Sequence, residues 1–219
     1  MPTLTLVQTI AVWVIPVLLA ITLHESAHAF VASRCGDTTA KMLGRLSVNP
    51  LRHIDLIGTI LVPILVGVLS QFQFVFGWAK PVPINWSRLR KPRRDSALIA
   101  AAGPASNVIM ALLWALCLKV STLFHPETSH IALFFFLTGH AGILINLVLA
   151  LLNLIPIPPL DGSRIVASLL SPQRAEQYLK LERFGFFILI ALLFTGILSA
   201  ILDPLLSWSL QFIGTMFHL

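Results

Sequence analysis

Charge is what this sequence has least of. Only 11% of its 219 residues are charged and 57% are hydrophobic, whereas charged residues make up about a quarter of an ordinary soluble domain. Such a chain cannot cover a water-soluble globule with polar surface, and it reads as an integral membrane protein. Cysteine is nearly absent too. Cys35 and Cys117 fall in separate segments without a CxxC spacing, so neither a disulfide nor a thiolate zinc site is expected. There is no internal repeat at a period of about 20 to 50 residues and no low-complexity tail, which excludes a solenoid or an array. The length suits one compact bundle, so a single membrane domain over residues 1–219 is expected. No basic stretch precedes the first apolar run and no polar cleavage region follows it, so a removable signal peptide is not expected.

The stretches without Asp, Glu, Lys or Arg are long. They cover residues 1–23, 56–79, 96–118, 128–160 and 184–202, each near or above the ~20 residues that span a bilayer. A shorter one, 204–219, follows Asp203-Pro204. Asp favours the N-cap and Pro the first helical turn, so that pair predicts a helix restart, giving one kinked helix or two short ones. The expected fold is an all-α polytopic membrane protein, a bundle of about five or six hydrophobic segments.

The net charge of +6 could suggest nucleic acid, but the placement of the basic residues explains it better. Arg34, Lys41, Arg45 and Arg52 form one polar stretch, Lys80 with Arg88, Arg90, Lys91, Arg93 and Arg94 a second, and Arg164, Arg174, Lys180 and Arg183 a third. Only Lys119 stands apart. The positive-inside rule puts all three stretches in the cytoplasm and the amino terminus outside, and Lys119 near a helix end can snorkel outward. Residues 56–79 then join two segments on one side and cannot make a simple crossing. Gly58, Pro63 and Gly67 interrupt their first half and Phe72-Gln73-Phe74-Val75-Phe76 is strand-like, which predicts a re-entrant or β-hairpin element on the wall of a cavity.

The first apolar run ends in His24-Glu25-Ser26-Ala27-His28. On a helix the two histidines lie about 40° apart around the axis and one turn apart along it, so both imidazoles reach one Zn²⁺, and Glu25 projects beside them as a base. A carboxylate at hydrocarbon depth costs roughly 2.5 to 3.5 kcal/mol on insertion scales, which makes it an improbable filler. The alternative is a pair of histidines hydrogen-bonding across the bundle around a buried Glu. Two imidazoles leave a catalytic zinc short of a third protein ligand. Asp161 is the strongest candidate, closing the run Asn153-Leu154-Ile155-Pro156-Ile157-Pro158-Pro159-Leu160-Asp161-Gly162, where three prolines forbid a regular helix. The alternative is an N-cap for the helix that follows, which ligation does not exclude. His53, Asp55, His140 and Glu127 are weaker candidates.

With these motifs the chain resembles the site-2 metalloprotease family of intramembrane proteases. The match rests on HESAH at 24–28, Gly103-Pro104-Ala105-Ser106-Asn107, NLIPIPPLDG at 153–162, and Gly77-Trp78-Ala79-Lys80-Pro81-Val82-Pro83. The resemblance implies one zinc per chain held by His24, His28 and Asp161, with Glu25 as catalytic base. It implies that Asn153 holds substrate or the developing oxyanion, against an interhelical hydrogen bond as the alternative. Gly103 and Asn107 are read as close-packing residues. The chain looks like the compact prokaryotic form, without a PDZ domain. The substrate class that follows is a transmembrane protein in the lipid bilayer, cut within or near its membrane helix. Residues 72–84 would offer the unwound substrate a strand edge. A metal or proton transporter is the rival from another class, although the paired broken helices of transporters have no counterpart here.

Overall fold

The computed structural model describes residues 4–62, 65 and 80–219. Four helices among them are long and apolar enough to cross a membrane: α1 (Leu6–Cys35), α3 (Pro92–Thr122), α4 (His130–Asn153) and α8 (Ile197–Phe217). Shorter helices are α2 (Thr39–Met42), α5 (Asp161–Leu169), α6 (Pro172–Leu179) and α7 (Glu182–Phe194). No strand occurs among the described residues. The expected all-α membrane fold is therefore what the chain forms. The expected re-entrant or hairpin element, centred on 72–76, lies outside the described residues, and only a π-helical turn, Leu56–Leu61, opens that stretch.

α1 starts with a capping box, in which the Thr5 hydroxyl accepts from the Gln8 N–H and the Gln8 side chain accepts from the Thr5 N–H. It stops at Gly36, whose φ of 115° suits a residue without Cβ. The central helices α1, α3 and α4 meet on small residues. Ala20, Ala111 and Ala115 are fully buried, and a Cβ on Gly142 would come within 2.2 Å of the Trp114 ring. Where lipid is as apolar as leucine, such close backbone approach is what holds helices together. α8 adds Ile213 to the cluster of Leu118, Ile143 and Leu147.

The carboxy-terminal break falls elsewhere than Asp203-Pro204 predicts. α7 ends at Phe194, Gly196 takes the left-handed conformation at φ 75°, and α8 runs through Pro204 without interruption. Glycine reverses the chain without steric cost, whereas Pro204 sits inside the helix, where its missing N–H removes one intrahelical bond.

All three basic stretches gather at one end of the bundle. The Arg90 N–H donates to the Cys35 carbonyl at 3.1 Å and the Arg93 guanidinium to the Leu170 carbonyl. Lys119 lies at the other end, donating to the His218 carbonyl at 2.8 Å. Asp37 ties the basic end together. It is fully buried, accepting from the Thr39 hydroxyl and N–H at 2.5 and 2.9 Å and from the Asn85 N–H at 2.7 Å. Burial alone would raise its pKa, but these bonds and the nearby Arg88 outweigh burial and hold it below the ordinary carboxylate value. A carboxylate depressed in the fold stabilises it fully above the unfolded pKa of about 3.9 and loses that contribution as pH falls through the lower folded value. Thermal melts of detergent-solubilised Asp37→Asn should therefore lie below wild type at pH 6, and the gap should close progressively below about pH 4. A gap that stays constant down to pH 3 would show that Asp37 acts through shape alone.

Candidate metal centre

α1 carries His24 and His28 on the face turned to α3. Gly103 lies opposite, and a Cβ there would stand 2.4 Å from His28 Nε2 and 2.6 Å from His24 Nε2. The absence of a side chain at position 103 is thus the space the imidazoles occupy. Asp161 enters from below. Gly162 lets the start of α5 press onto the end of α4, since a Cβ would fall 2.2 Å from the Leu154 carbonyl oxygen. Gly185 of α7 admits the Pro158 carbonyl in the same way. The Tyr178 hydroxyl donates to the Pro156 carbonyl at 2.5 Å, so the proline-rich turn is braced on both sides.

The three predicted ligands converge. His24 Nε2 and His28 Nε2 are 3.0 Å apart, and Asp161 Oδ2 lies 3.2 and 3.3 Å from them. Among the described residues this is the one group of three such donors within reach of a common ion. Asp161 is the first residue of α5 and its side chain makes no capping bond, Leu160 holding the N-cap position. The capping alternative is not realised. His53 is buried elsewhere with Nε2 bonded to the Ser47 carbonyl at 2.8 Å. Asp55 accepts from the N–H groups of Ile57 and Gly58, His140 is exposed against Phe136, and Glu127 is exposed on the turn before α4.

Hydrogen-bond chemistry decides what the cluster can hold. His28 Nδ1 faces the Ile99 carbonyl at 2.6 Å, and a carbonyl only accepts, so Nδ1 carries the proton. His24 Nδ1 faces Asn107 Oδ1 at 2.6 Å and is protonated for the same reason. Neutral imidazole has one N–H, so with both rings neutral, as metal ligation requires, both Nε2 atoms present lone pairs, to each other and to a carboxylate. Three acceptors facing one another call for a cation between them. Around a tetrahedral ion with ligand bonds of ~2.0 Å, neighbouring ligand atoms stand about 3.3 Å apart, close to the three separations observed. The donor set fits zinc.

Glu25 does not join the ligands. Half-buried, it turns toward the non-helical segment after Lys80 and accepts from the Val82 N–H at 2.9 Å. Asn153, the last residue of α4, donates to the Leu149 carbonyl of its own helix at 2.9 Å, and no interhelical bond to its amide occurs among the described residues. Gly103 and Asn107, read from the sequence as packing residues, both lie against the imidazoles. Their place in the α3 motif beside the HESAH helix was the available signal.

The profile of peptidase family M50 matches residues 118–196, which contain Asn153 and Asp161. The candidate zinc metalloprotease YwhC of Bacillus subtilis is 39% identical over 199 residues, 89% of this chain and 85% of its own length. The chain belongs to peptidase family M50, the site-2 protease family. Further relatives carry the name of candidate zinc metalloprotease Rip2. That of Mycolicibacterium smegmatis is 30% identical over 92% of this chain and 74% of its own length, and that of Mycobacterium tuberculosis H37Rv is 27% identical over 97% and 76%. No solved structure matches the chain. This M50 protein is a metalloprotease with membrane-spanning helices, and the names of its relatives point to zinc as the metal.

Metal analysis of purified protein tests the cradle. Gly103→Ala places a Cβ among the imidazoles and Asp161→Ala removes the carboxylate, so both should lose most of the bound zinc. Full zinc occupancy in Asp161→Ala would remove that residue from the site.

Proposed function

We propose that this M50 protein hydrolyses a peptide bond within or near the transmembrane helix of a membrane-protein substrate, using one zinc per chain held by His24, His28 and Asp161. The observation that carries this reading is the place of the His24–His28–Asp161 cluster, with both histidines on α1 and Gly103 of α3 packed against them, within two helices that are long and apolar enough to cross a membrane.

Zinc bound there would supply Lewis acidity, polarising the scissile carbonyl and acidifying water. Glu25 takes the proton from the attacking water and returns it to the leaving amine. The Val82 N–H holds one oxygen of the Glu25 carboxylate, and its second oxygen is assigned to that transfer. Asn153 is assigned to the substrate, at the end of α4 and outside the ligand set. A membrane helix hides its carbonyls in its own hydrogen bonds, so the substrate must unwind before attack. Residues 72–84, of which only 80–84 are described and lie outside any helix, are assigned as the docking edge for it.

The gathering of the basic stretches at one end supports a cell-membrane orientation with that end, and the mouth of the site, toward the cytoplasm. Single cysteines near Arg45, Arg90 and Arg174 on a Cys-free background should all label from the cytoplasmic side, and labelling of any of them from the outside overturns this orientation.

Reconstituted enzyme with a model membrane helix tests the chemistry. Glu25→Gln should keep its zinc while cleavage falls by roughly 10² to 10⁴, the usual contribution of general acid-base catalysis. Asn153→Ala should likewise keep zinc and lose cleavage. Unimpaired cleavage by Glu25→Gln would sink the mechanism, and zinc flux across sealed vesicles without cleavage would favour a transporter.

A further inference from the structure

Behind His24 runs a chain of buried amides that binding and hydrolysis as described do not use. Asn107 and Asn146 are both fully buried, on α3 and α4 respectively. The Asn146 amide donates to the Gly142 carbonyl at 2.8 Å, which turns Asn146 Oδ1 outward. Asn107 Nδ2 donates to that Oδ1 at 2.9 Å and to the Ala20 carbonyl at 3.2 Å. Both partners of Nδ2 are acceptors, so the amide cannot be flipped, and Oδ1 must be the atom facing His24 Nδ1 at 2.6 Å. Each link fixes the next, from a main-chain carbonyl of α4 to the imidazole on α1.

We propose that Asn107, locked by Asn146, is a positioning residue that keeps the His24 proton on Nδ1 and so presents the Nε2 lone pair to the metal. The inference rests on the reading of His24 as a metal ligand. His28 obtains the same effect from a main-chain carbonyl, which no side-chain substitution can remove. His24 Nδ1 instead faces a side-chain acceptor, Asn107 Oδ1. A carboxamide suits this place in lipid better than the carboxylates that often support zinc-bound histidines, since it orients the ring without burying a second charge. The network also ties three helices to one imidazole, so the packing of α1, α3 and α4 and the direction of the ligand are set together.

Two measurements test this independently of proteolysis. In metal-free wild-type protein labelled with ¹⁵N-histidine, the His24 resonances, identified by their loss in His24→Ala, should report a proton on Nδ1. Zinc affinity by chelator competition should fall 10- to 100-fold in Asn107→Ala, the usual cost of losing such a partner. Asn107→Asp, which keeps an acceptor facing His24, should recover most of it. A proton on Nε2 in the wild type overturns the proposal. So does wild-type affinity in Asn107→Ala, or an equal loss in Asn107→Ala and Asn107→Asp, which would mark a packing role. If Asn107→Ala does not fold, the wild-type spectrum still decides. Wild-type zinc affinity in His24→Ala would instead defeat the metal assignment itself.

Discussion

Two imidazole lone pairs and a carboxylate, brought within 3.3 Å of one another, repel unless a cation lies between them, and most of the bundle can be read as the means of forcing them together. Their protons are spoken for on the far side of each ring, by Ile99 and Asn107. Nothing at Gly103 competes for the space. The proline-rich turn, pinned between α5 and α7 by the close approaches at Gly162 and Gly185, delivers the carboxylate. The far-side N–H groups of both rings are paired within the protein, whereas the buried Oδ2 of Asp161 has no hydrogen-bond partner among the described residues, the state expected of an atom that a cation would satisfy.

The same economy extends to Glu25. It is adjacent in sequence to His24 yet stays outside the His24–His28–Asp161 group, its carboxylate received by the Val82 amide of the non-helical segment after Lys80. That segment is moored at both ends, by the Lys80 N–H on the His53 carbonyl and by the Asn85 N–H on buried Asp37. Prolines at 81 and 83 stiffen it between the moorings. The Glu25 carboxylate is thereby held by a piece of backbone moored at the charged end of the molecule.

Much of the site is legible in the sequence because its chemistry is local. Four-residue spacing on a helix suffices to pair His24 with His28, and the prolines before Asp161 announce a break where a carboxylate can turn inward. The spans are legible from the scarcity of charge. The second layer is not, since the partner of His24 lies 83 residues away and an Asn beside a Gly in an apolar helix carries the signature of packing. Small residues serve both purposes here, so composition cannot separate them. The end of the chain misleads for a related reason. Asp203-Pro204 has the residue types of a helix start, but Gly196 makes the turn and the proline is carried inside α8.

The most direct test of the metal centre is zinc K-edge absorption on the purified, zinc-loaded protein. Two imidazole nitrogens and oxygen from a carboxylate should appear at about 2.0 to 2.2 Å, with no sulfur. His28→Ala should remove one imidazole from the shell. A thiolate distance near 2.3 Å, or a shell unchanged by His28→Ala, would contradict the site.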